Sequence, residues 1–113
     1  MQAGRLRHRV TIEYPLKIQN ESGEVIVDTW RELATVWAAV EPIAGREYLT
    51  ASEIRAGVTT RIRMRYRDDI TPEMRATHDG VIYSIDAVIP INLLGRELHL
   101  MCSSGIVTEG GQP

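Results

Sequence analysis

Apolar and polar residues alternate along the first part of the chain. Val10, Ile12 and Tyr14 fall on one side of residues 9–14, and charged or hydroxyl side chains fall on the other. A period of two is typical of a β-strand with one buried face. Pro15 is predicted to end this strand, because proline has no N–H with which to bond a neighbouring strand.

A second and longer strand is predicted after a polar hairpin tip at residues 19–24. Residues 25–40 are dominated by β-branched and aromatic side chains, which favour a strand, and a bend or bulge is expected near residues 31–34. Pro42 is predicted to close the strand. Trp37 lies among apolar neighbours, so a place in the core is favoured over an exposed binding site.

The segment between the second and third strands has a different character. Residues 44–57 carry a glycine near each end, and their alanine, leucine, glutamate and arginine content favours helix. Their apolar positions form a poor amphipathic stripe, and about eleven residues alone make a marginal helix in water. This segment is therefore either a short helix docked on the domain or a long mobile loop.

Four further strands are predicted from the rest of the pattern. The clearest covers residues 58–67, where Ile62, Met64 and Tyr66 face one way and four arginines face the other. These four define the arginine row: Arg61, Arg63, Arg65 and Arg67. Shorter strands are predicted at residues 74–78, 81–89 and 97–102, with turns at Asp79–Gly80 and 92–95 and a frayed tail over 103–113.

Six strands with turns about every ten residues predict an all-β fold. We expect a small antiparallel β-barrel or sandwich with one long loop or short helix between strands 2 and 3. The chain of 113 residues is predicted to be one domain, 1–113, whose last residues form a flexible tail. No apolar run approaches the length of a membrane span, and 43% apolar residues is typical of a globular protein.

Charge is distributed unevenly along the chain. The net charge is −2, yet 12 of the 13 basic residues are arginine, and Lys17 is the single lysine. The charge sums to +3 over residues 5–12, −5 over 13–53, +5 over 54–67 and −5 over 68–113. Such bands favour charge-matched contacts with a partner.

Few residues point to catalysis. The three histidines, His8, His78 and His99, lie in different predicted strands and lack metal-ligand spacing. Cys102 is predicted to be a small buried residue, and a single cysteine suits a reducing compartment. No glycine-rich phosphate-binding motif occurs in the sequence. We therefore expect no enzymatic activity, no cofactor and no metal.

The arginine row admits three explanations. Arginines at alternate strand positions project about 7 Å apart, a spacing that suits the phosphates of a nucleic acid. A protein interface, or a solvent-facing strand paired with neighbouring acids, explains the row as well. The negative net charge, the single lysine and only six aromatic residues favour these two explanations. The acids considered as partners are Glu13, Asp86 and Glu97, and the aromatic residues expected in the core are Trp30, Trp37 and Tyr83.

The order of these segments resembles that of the phage head–tail joining proteins, also called head-closure or stopper proteins. The similarity covers nearly the whole chain and is carried by the series of segments rather than by one motif. The matching pieces are residues 4–12 (GRLRHRVTI), 29–30 (TW), 35–42 (TVWAAVEP), 45–47 (GRE), 61–70 (RIRMRYRDDI), Arg75, 79–85 (DGVIYSI) and the closing strand.

The resemblance implies a small β-barrel in the neck of a tailed phage or prophage particle. Members of the family assemble as a ring below the portal and its adaptor, close the DNA channel after packaging and offer the surface to which the tail docks. The implied partners are a portal-side adaptor, a tail-side protein and other copies of the chain, with DNA only as channel content and no membrane. Assembly would take place in the bacterial cytoplasm, and a ring that forms only on its template is compatible with a monomeric free chain.

The resemblance also implies site residues. In the family, the segment between the second and third strands lines or plugs the channel, and residues 41–57 match it here. By position, the plug would comprise Glu47, Tyr48, Leu49, Thr50 and Ser52. The arginine row is expected to face an acidic band of the next subunit or the adaptor, in a salt-sensitive contact that closes the ring.

Two rival functions remain open from the sequence. One is an OB-like nucleic-acid-binding module, which binding to DNA at moderate salt would reveal. The other is a tail-completion or tail-terminator protein of the same particle, which has a similar small β fold. Association with isolated tails rather than with DNA-filled heads would identify the second.

Overall fold

The computed structural model describes residues 6–43, 49–92 and 96–107. Within them the elements are β1 (His8–Gln19), β2 (Val25–Pro42), α1 (Ala51–Ala56), β3 (Thr60–Arg65), β4 (Arg75–His78), β5 (Val81–Ile91) and β6 (Glu97–Val107). All paired strands are antiparallel, in the order β1-β2-β3-β6-β5-β4, and β4 returns to β1 to close a barrel. The predicted all-β class, the six strands and the short helix between strands 2 and 3 are confirmed.

The core lies inside the barrel and is built from the inward positions of the alternating strands. Val10 and Ile12 on β1 and Ile62 and Met64 on β3 are fully buried, as the sequence pattern predicts. They pack with Ala38, Leu98, Leu100 and Cys102 from β2 and β6. Burial of each large apolar side chain contributes about 1.5–3 kcal/mol to folding.

The β1–β2 hairpin is much longer than the barrel requires. β4 pairs with β1 only from Thr11 to Glu13, and β3 pairs with β2 only from Ala38 to Pro42. Residues 14–31 therefore pair only with each other among the described residues, and they define the hairpin arm. The arm gives the molecule its elongated dimensions of 53 × 29 × 28 Å.

The prediction that Pro15 ends β1 is wrong. Pro15 lies within the strand, opposite Trp30. Beyond Glu13 the strand has a neighbour on one side only, and a residue without an N–H is tolerated at such an edge. The predicted irregularity near residues 31–34 is confirmed: the register shifts at Ile12/Glu13, which leaves Leu33 as the extra residue of a bulge. Pro42 ends β2, as predicted.

The predicted tail begins too early. Residues 103–107 belong to β6 and pair with β5 from Val81 to Ser84, whereas residues 108–113 lie outside the described part of the chain. The serines and glycine of this stretch suggest fraying, but the adjacent strand supplies hydrogen bonds that local composition cannot show. The predicted hairpin turn is confirmed, with positive φ angles of 56° at Asp79 and 81° at Gly80. The turn predicted over residues 92–95 falls mostly on 93–95, which lie outside the described residues.

Two isoleucine substitutions test where the stability of the fold resides. We expect Ile62→Ala, at a fully buried site, to lower the free energy of unfolding by about 2–5 kcal/mol through lost burial and cavity formation. Ile26→Ala on the arm, where the side chain is 42% exposed, serves as a control and should cost less than about 1 kcal/mol. Urea denaturation of both variants measures the difference, and equal losses would contradict this assignment of the core.

Candidate interaction surface

The first two members of the arginine row are bound to acids of their own chain. Arg61 pairs with Glu41 of the neighbouring β2, with Nε and a terminal nitrogen 3.0 and 2.9 Å from Oε1. Arg63 lies between Glu41 at 3.4 Å and Glu97 of β6 at 3.1 Å. The register explains this arrangement, because Glu41 faces Arg61 directly across the β2–β3 ladder.

The expected acid partners are thus confirmed in part. Glu97 pairs with the row as predicted, whereas Glu13 instead binds Arg75 at 2.7 Å. Asp86 makes no ion pair with the row in the part of the chain that the structure describes. Glu41 was missed, although its place just before the strand-ending Pro42 would have pointed to it once β2 and β3 were paired.

The last two members of the row, Arg65 and Arg67, differ from each other. Arg67 lies past the end of β3 and makes a bidentate contact with Asp69, at 3.0 and 2.8 Å. The hydrogen bond from Arg67 holds the pKa of Asp69 below its usual value. Arg65 is exposed at the end of β3 and meets no carboxylate among the described residues. It is the member of the row best placed for an external partner.

His99 extends the same charged network. Its Nε2 lies 3.6 Å from Glu97, and its register partner is Arg63. Burial, followed by the charge of Arg61, lowers the pKa of the imidazole, so His99 is neutral at pH 7. The network therefore consists of two arginines and two glutamates around a neutral ring, which leaves this face nearly balanced in charge.

Trp37 is exposed rather than buried, contrary to the sequence-based prediction. Its side chain is 52% exposed, and Arg9 stacks over the ring with its guanidinium carbon 4.7 Å from the ring centroid. The neighbour Ala38 points into the core, so strand alternation places Trp37 on the outer face. For the position of Trp37, the alternation of inward and outward residues was therefore a better guide than the apolar composition of the segment.

A surface depression beside Trp37 is lined by Leu6, Arg7 and Arg65. Together with Arg9 these residues define the Trp37 patch: Leu6, Arg7, Arg9, Trp37 and Arg65. None of its three arginines meets a carboxylate in the described ranges. Exposed tryptophan and arginine are the residues enriched at protein interfaces and their energetic hot spots.

The other two aromatic residues expected in the core are half-buried. Trp30 lies at the base of the arm, where Arg75 stacks over its ring at 4.3 Å. Tyr83 packs against the core cluster from β5. The prediction of a core position is therefore met in part by Tyr83, while Trp30 joins the Glu13–Arg75 ion pair on the barrel wall.

The predicted channel segment contains α1, a single helix of six residues. Thr50 caps it: its hydroxyl accepts a hydrogen bond from Glu53 N at 3.2 Å, and its own N–H donates to Glu53 Oε1 at 3.0 Å. Ser52 is exposed and Leu49 is half-buried, while Glu47 and Tyr48 lie outside the described residues. The open choice between helix and loop is settled in favour of helix for residues 51–56.

The helix is attached to the barrel through backbone bonds at its base. No residue of α1 is buried, and Gly57 ends it in a left-handed conformation. Ile43 N donates to Thr59 O at 2.9 Å, so the segment leaves and rejoins the barrel at one point. That point is the end of β2 opposite the arm tip, and the two projections therefore extend from opposite ends of the barrel.

The cysteine and histidines of the described residues form no potential metal-binding group. Cys102 is fully buried, as predicted, and burial raises the pKa of its thiol to about 12. His8 and His78 contact each other edge to face with ring centroids 4.9 Å apart, a pairing that sequence spacing did not predict. No group of three or more potential metal ligands occurs among the described residues. No helix in the described ranges is long and apolar enough to span a bilayer.

The closed barrel carries two projections and charged outer faces, an architecture suited to contacts with other proteins. The model of the phage head completion protein family matches residues 1–105, and the chain belongs to that family. The family's role is structural, in completion of the phage head, and this chain shares it. This finding confirms the family resemblance identified in the sequence.

Two solved structures are similar over nearly their whole length. A Shigella flexneri 2a protein, known from a solution structure, is 30% identical with a TM-score of 0.72 over 93% of this chain and 97% of the other. A chain in the virion of a native gene transfer agent particle is 22% identical with a TM-score of 0.63, covering 92% and 98% respectively. The second likeness shows a shared fold. No curated protein matches the chain at a significant level.

Loss of Glu41 should affect stability more than loss of an acid at the arm tip. Glu41→Gln removes the shared partner of Arg61 and Arg63, of which Arg63 is only 15% exposed, and should cost about 1 kcal/mol. Glu21→Gln is the control, since Glu21 makes no ion pair among the described residues and should change stability by less than about 0.5 kcal/mol. Equal unfolding free energies in urea would contradict a structural role for the Glu41 bridge.

Proposed function

We propose that this chain is a head-closure, or stopper, protein of a tailed phage or prophage particle. It would form a ring below the portal and its adaptor, close the DNA channel after packaging and provide the surface to which the tail attaches. The family membership supports the head side of the particle. The observation that carries the proposal is a rigid closed barrel from which an exposed segment with a capped helix projects.

The segment between β2 and β3 suits a channel element. Both of its ends are fixed to the barrel at Ile43 and Thr59, so movement of the segment need not disturb the core. Because α1 buries none of its own residues, repositioning it on assembly would cost little. We assign channel closure to the residues at and before the helix: Glu47, Tyr48, Leu49, Thr50 and Ser52.

The arginine row is proposed to contribute to contacts with the next subunit or the adaptor. Arg61, Arg63 and Arg67 already bind carboxylates of their own chain, so an external acid would compete with these internal partners. Arg65 makes no ion pair in the described part of the chain, although Glu97 faces it across the β3–β6 ladder, so an external acid would displace no existing pair there. The proposal includes these contacts and the ring that they form. It also includes assembly in the host cytoplasm and a purely structural role without enzymatic activity.

Deletion of the channel segment tests the closure function. Removal of residues 46–55 should allow DNA to leak from filled heads, whereas the barrel should still fold because its core lies outside the segment. Nuclease sensitivity of the packaged DNA measures leakage, and far-ultraviolet circular dichroism verifies folding. A shortened chain that folds, joins the heads and retains their DNA would contradict the assignment of this segment as the plug.

Location in the particle separates head closure from tail termination. We expect the chain to co-sediment with DNA-filled heads made in a host that produces no tails. As the matched control, isolated tails made without heads should lack it. The reverse distribution would identify a tail-completion protein, and binding to free DNA without either structure would identify a nucleic-acid-binding module.

A further inference from the structure

The tip of the hairpin arm combines exposed apolar residues with negative charge. Of the six large apolar side chains exposed in the described residues, four lie there: Ile18, Val25, Ile26 and Val27. Residues 18–30 also contain three acids, Glu21, Glu24 and Asp28, and no basic residue. We define residues 18–28 as the arm tip. An isolated apolar ribbon of this kind is a typical site for contact with another protein.

The Trp37 patch has the complementary character. It presents one exposed tryptophan, which is another of the six exposed apolar side chains, beside three arginines. In the described ranges these arginines have no carboxylate partner, whereas Arg61, Arg63, Arg67 and Arg75 each have one. Three arginines without an ion pair thus surround the exposed aromatic ring, while Arg31, Arg55 and Arg96, which also lack one among the described residues, lie elsewhere. An acidic, apolar partner fits the patch.

The arm tip and the patch of one chain cannot meet. Trp37 faces Arg9 across the β1–β2 ladder, and Val25 faces Gln19 ten positions further along β1. At about 3.3 Å per residue the two surfaces are separated by roughly 35 Å along one continuous ribbon. Contact between them therefore requires a second molecule, and it joins two different surfaces.

We propose that the arm tip of one copy of the chain binds the Trp37 patch of the next copy. The proposal rests on the ring assembly proposed above and names the surfaces that form it. Val25, Val27 or the Ile18–Ile26 pair would cover the Trp37 ring, and the arm carboxylates would bind Arg7 and Arg65. Such a head-to-tail contact uses different surfaces on the two copies, as closure of a ring requires.

Two other partners, a second arm tip or a nucleic acid, would each satisfy only one property of the two surfaces. Contact between two arm tips would cover the apolar residues but would bring six carboxylates together, with no basic residue in either tip to offset them. Nucleic acid would suit the arginines of the patch but would leave the apolar arm tip uncovered. A second copy supplies a partner for both surfaces at once.

Cross-linking in assembled particles tests the contact directly. One chain carries Ser22→Cys at the exposed arm tip and Leu6→Cys in the depression of the patch, which leaves the arm carboxylates, the arginines and Trp37 in place. Native Cys102 is fully buried, with its pKa raised, and should not react. A short bismaleimide cannot span about 35 Å within one chain, so the double variant should give a ladder of covalent multimers.

The single-cysteine variants are the matched controls and should remain monomeric after cross-linking. Dimers from Ser22→Cys alone would indicate arm-to-arm contact and overturn the proposal. Absence of multimers from a double variant that is present in the particles would overturn it as well. Absence of the chain itself from particles would instead contradict the proposed virion function, so the two failures are distinguishable.

Charge reversal provides a second and independent test. The patch variant Arg7→Glu/Arg65→Glu and the arm variant Glu21→Arg/Asp28→Arg should each reduce multimer formation at least tenfold, with wild-type folding verified by thermal unfolding. An equal mixture of the two should restore it, because every contact then joins an acidic to a basic surface. Failure of the mixture to recover would overturn the proposal. So would a patch variant that loses head binding while the arm variant behaves as wild type, because the patch would then bind the adaptor.

Discussion

Closure of the barrel depends on a short contact between β4 and β1. Three residue pairs join the strands, and the Glu13–Arg75 ion pair at 2.7 Å marks the last of them. Arg75 also stacks over Trp30 at 4.3 Å, so one guanidinium links β4 to both strands of the long hairpin. Since β4 has only four residues, closure stops at Glu13, and everything beyond it on the hairpin projects from the barrel.

Because closure stops at Glu13, the molecule has a closed barrel and a separate projecting arm. The closed part buries the core and protects the edges of most strands. In the arm, each of the two strands has one edge without a neighbouring strand among the described residues. At the opposite end, β2 continues to Pro42 and delivers the α1 segment. A single strand of 18 residues thus connects the proposed channel element to the proposed docking arm.

The distribution of acids decides which arginines are available to a partner. Glu41 and Glu97 lie in register with β3 and neutralise Arg61 and Arg63, the first half of the arginine row, while Glu13 neutralises Arg75. The sequence shows twelve arginines and bands of charge, but it does not show which pairs are adjacent, because strand order and register are long-range properties. The class of fold, the inward faces of β1 and β3 and the Asp79–Gly80 turn were predictable, since each depends on local alternation or turn chemistry. Pro15 and residues 103–107 were not predicted correctly, because the presence or absence of a neighbouring strand decides both cases. Trp37 was placed wrongly because the prediction followed the apolar composition of the segment, although local alternation with the buried Ala38 puts it on the outer face.

The proposed contact between an acidic arm and a basic patch would also account for ring assembly that needs a template, which is part of the same proposal. The exposed charges of two free chains are screened within about 8 Å at physiological ionic strength, so long-range attraction between them is weak. Arm tips that carry three acids each repel one another at close range, which disfavours symmetric dimers. When the portal-side structure holds adjacent copies at a fixed spacing, the second contact becomes effectively intramolecular and a weak interface suffices. A long, charged hairpin and an unpaired arginine patch are then consistent with a chain that stays separate in solution and closes a ring only where the particle brings its copies together.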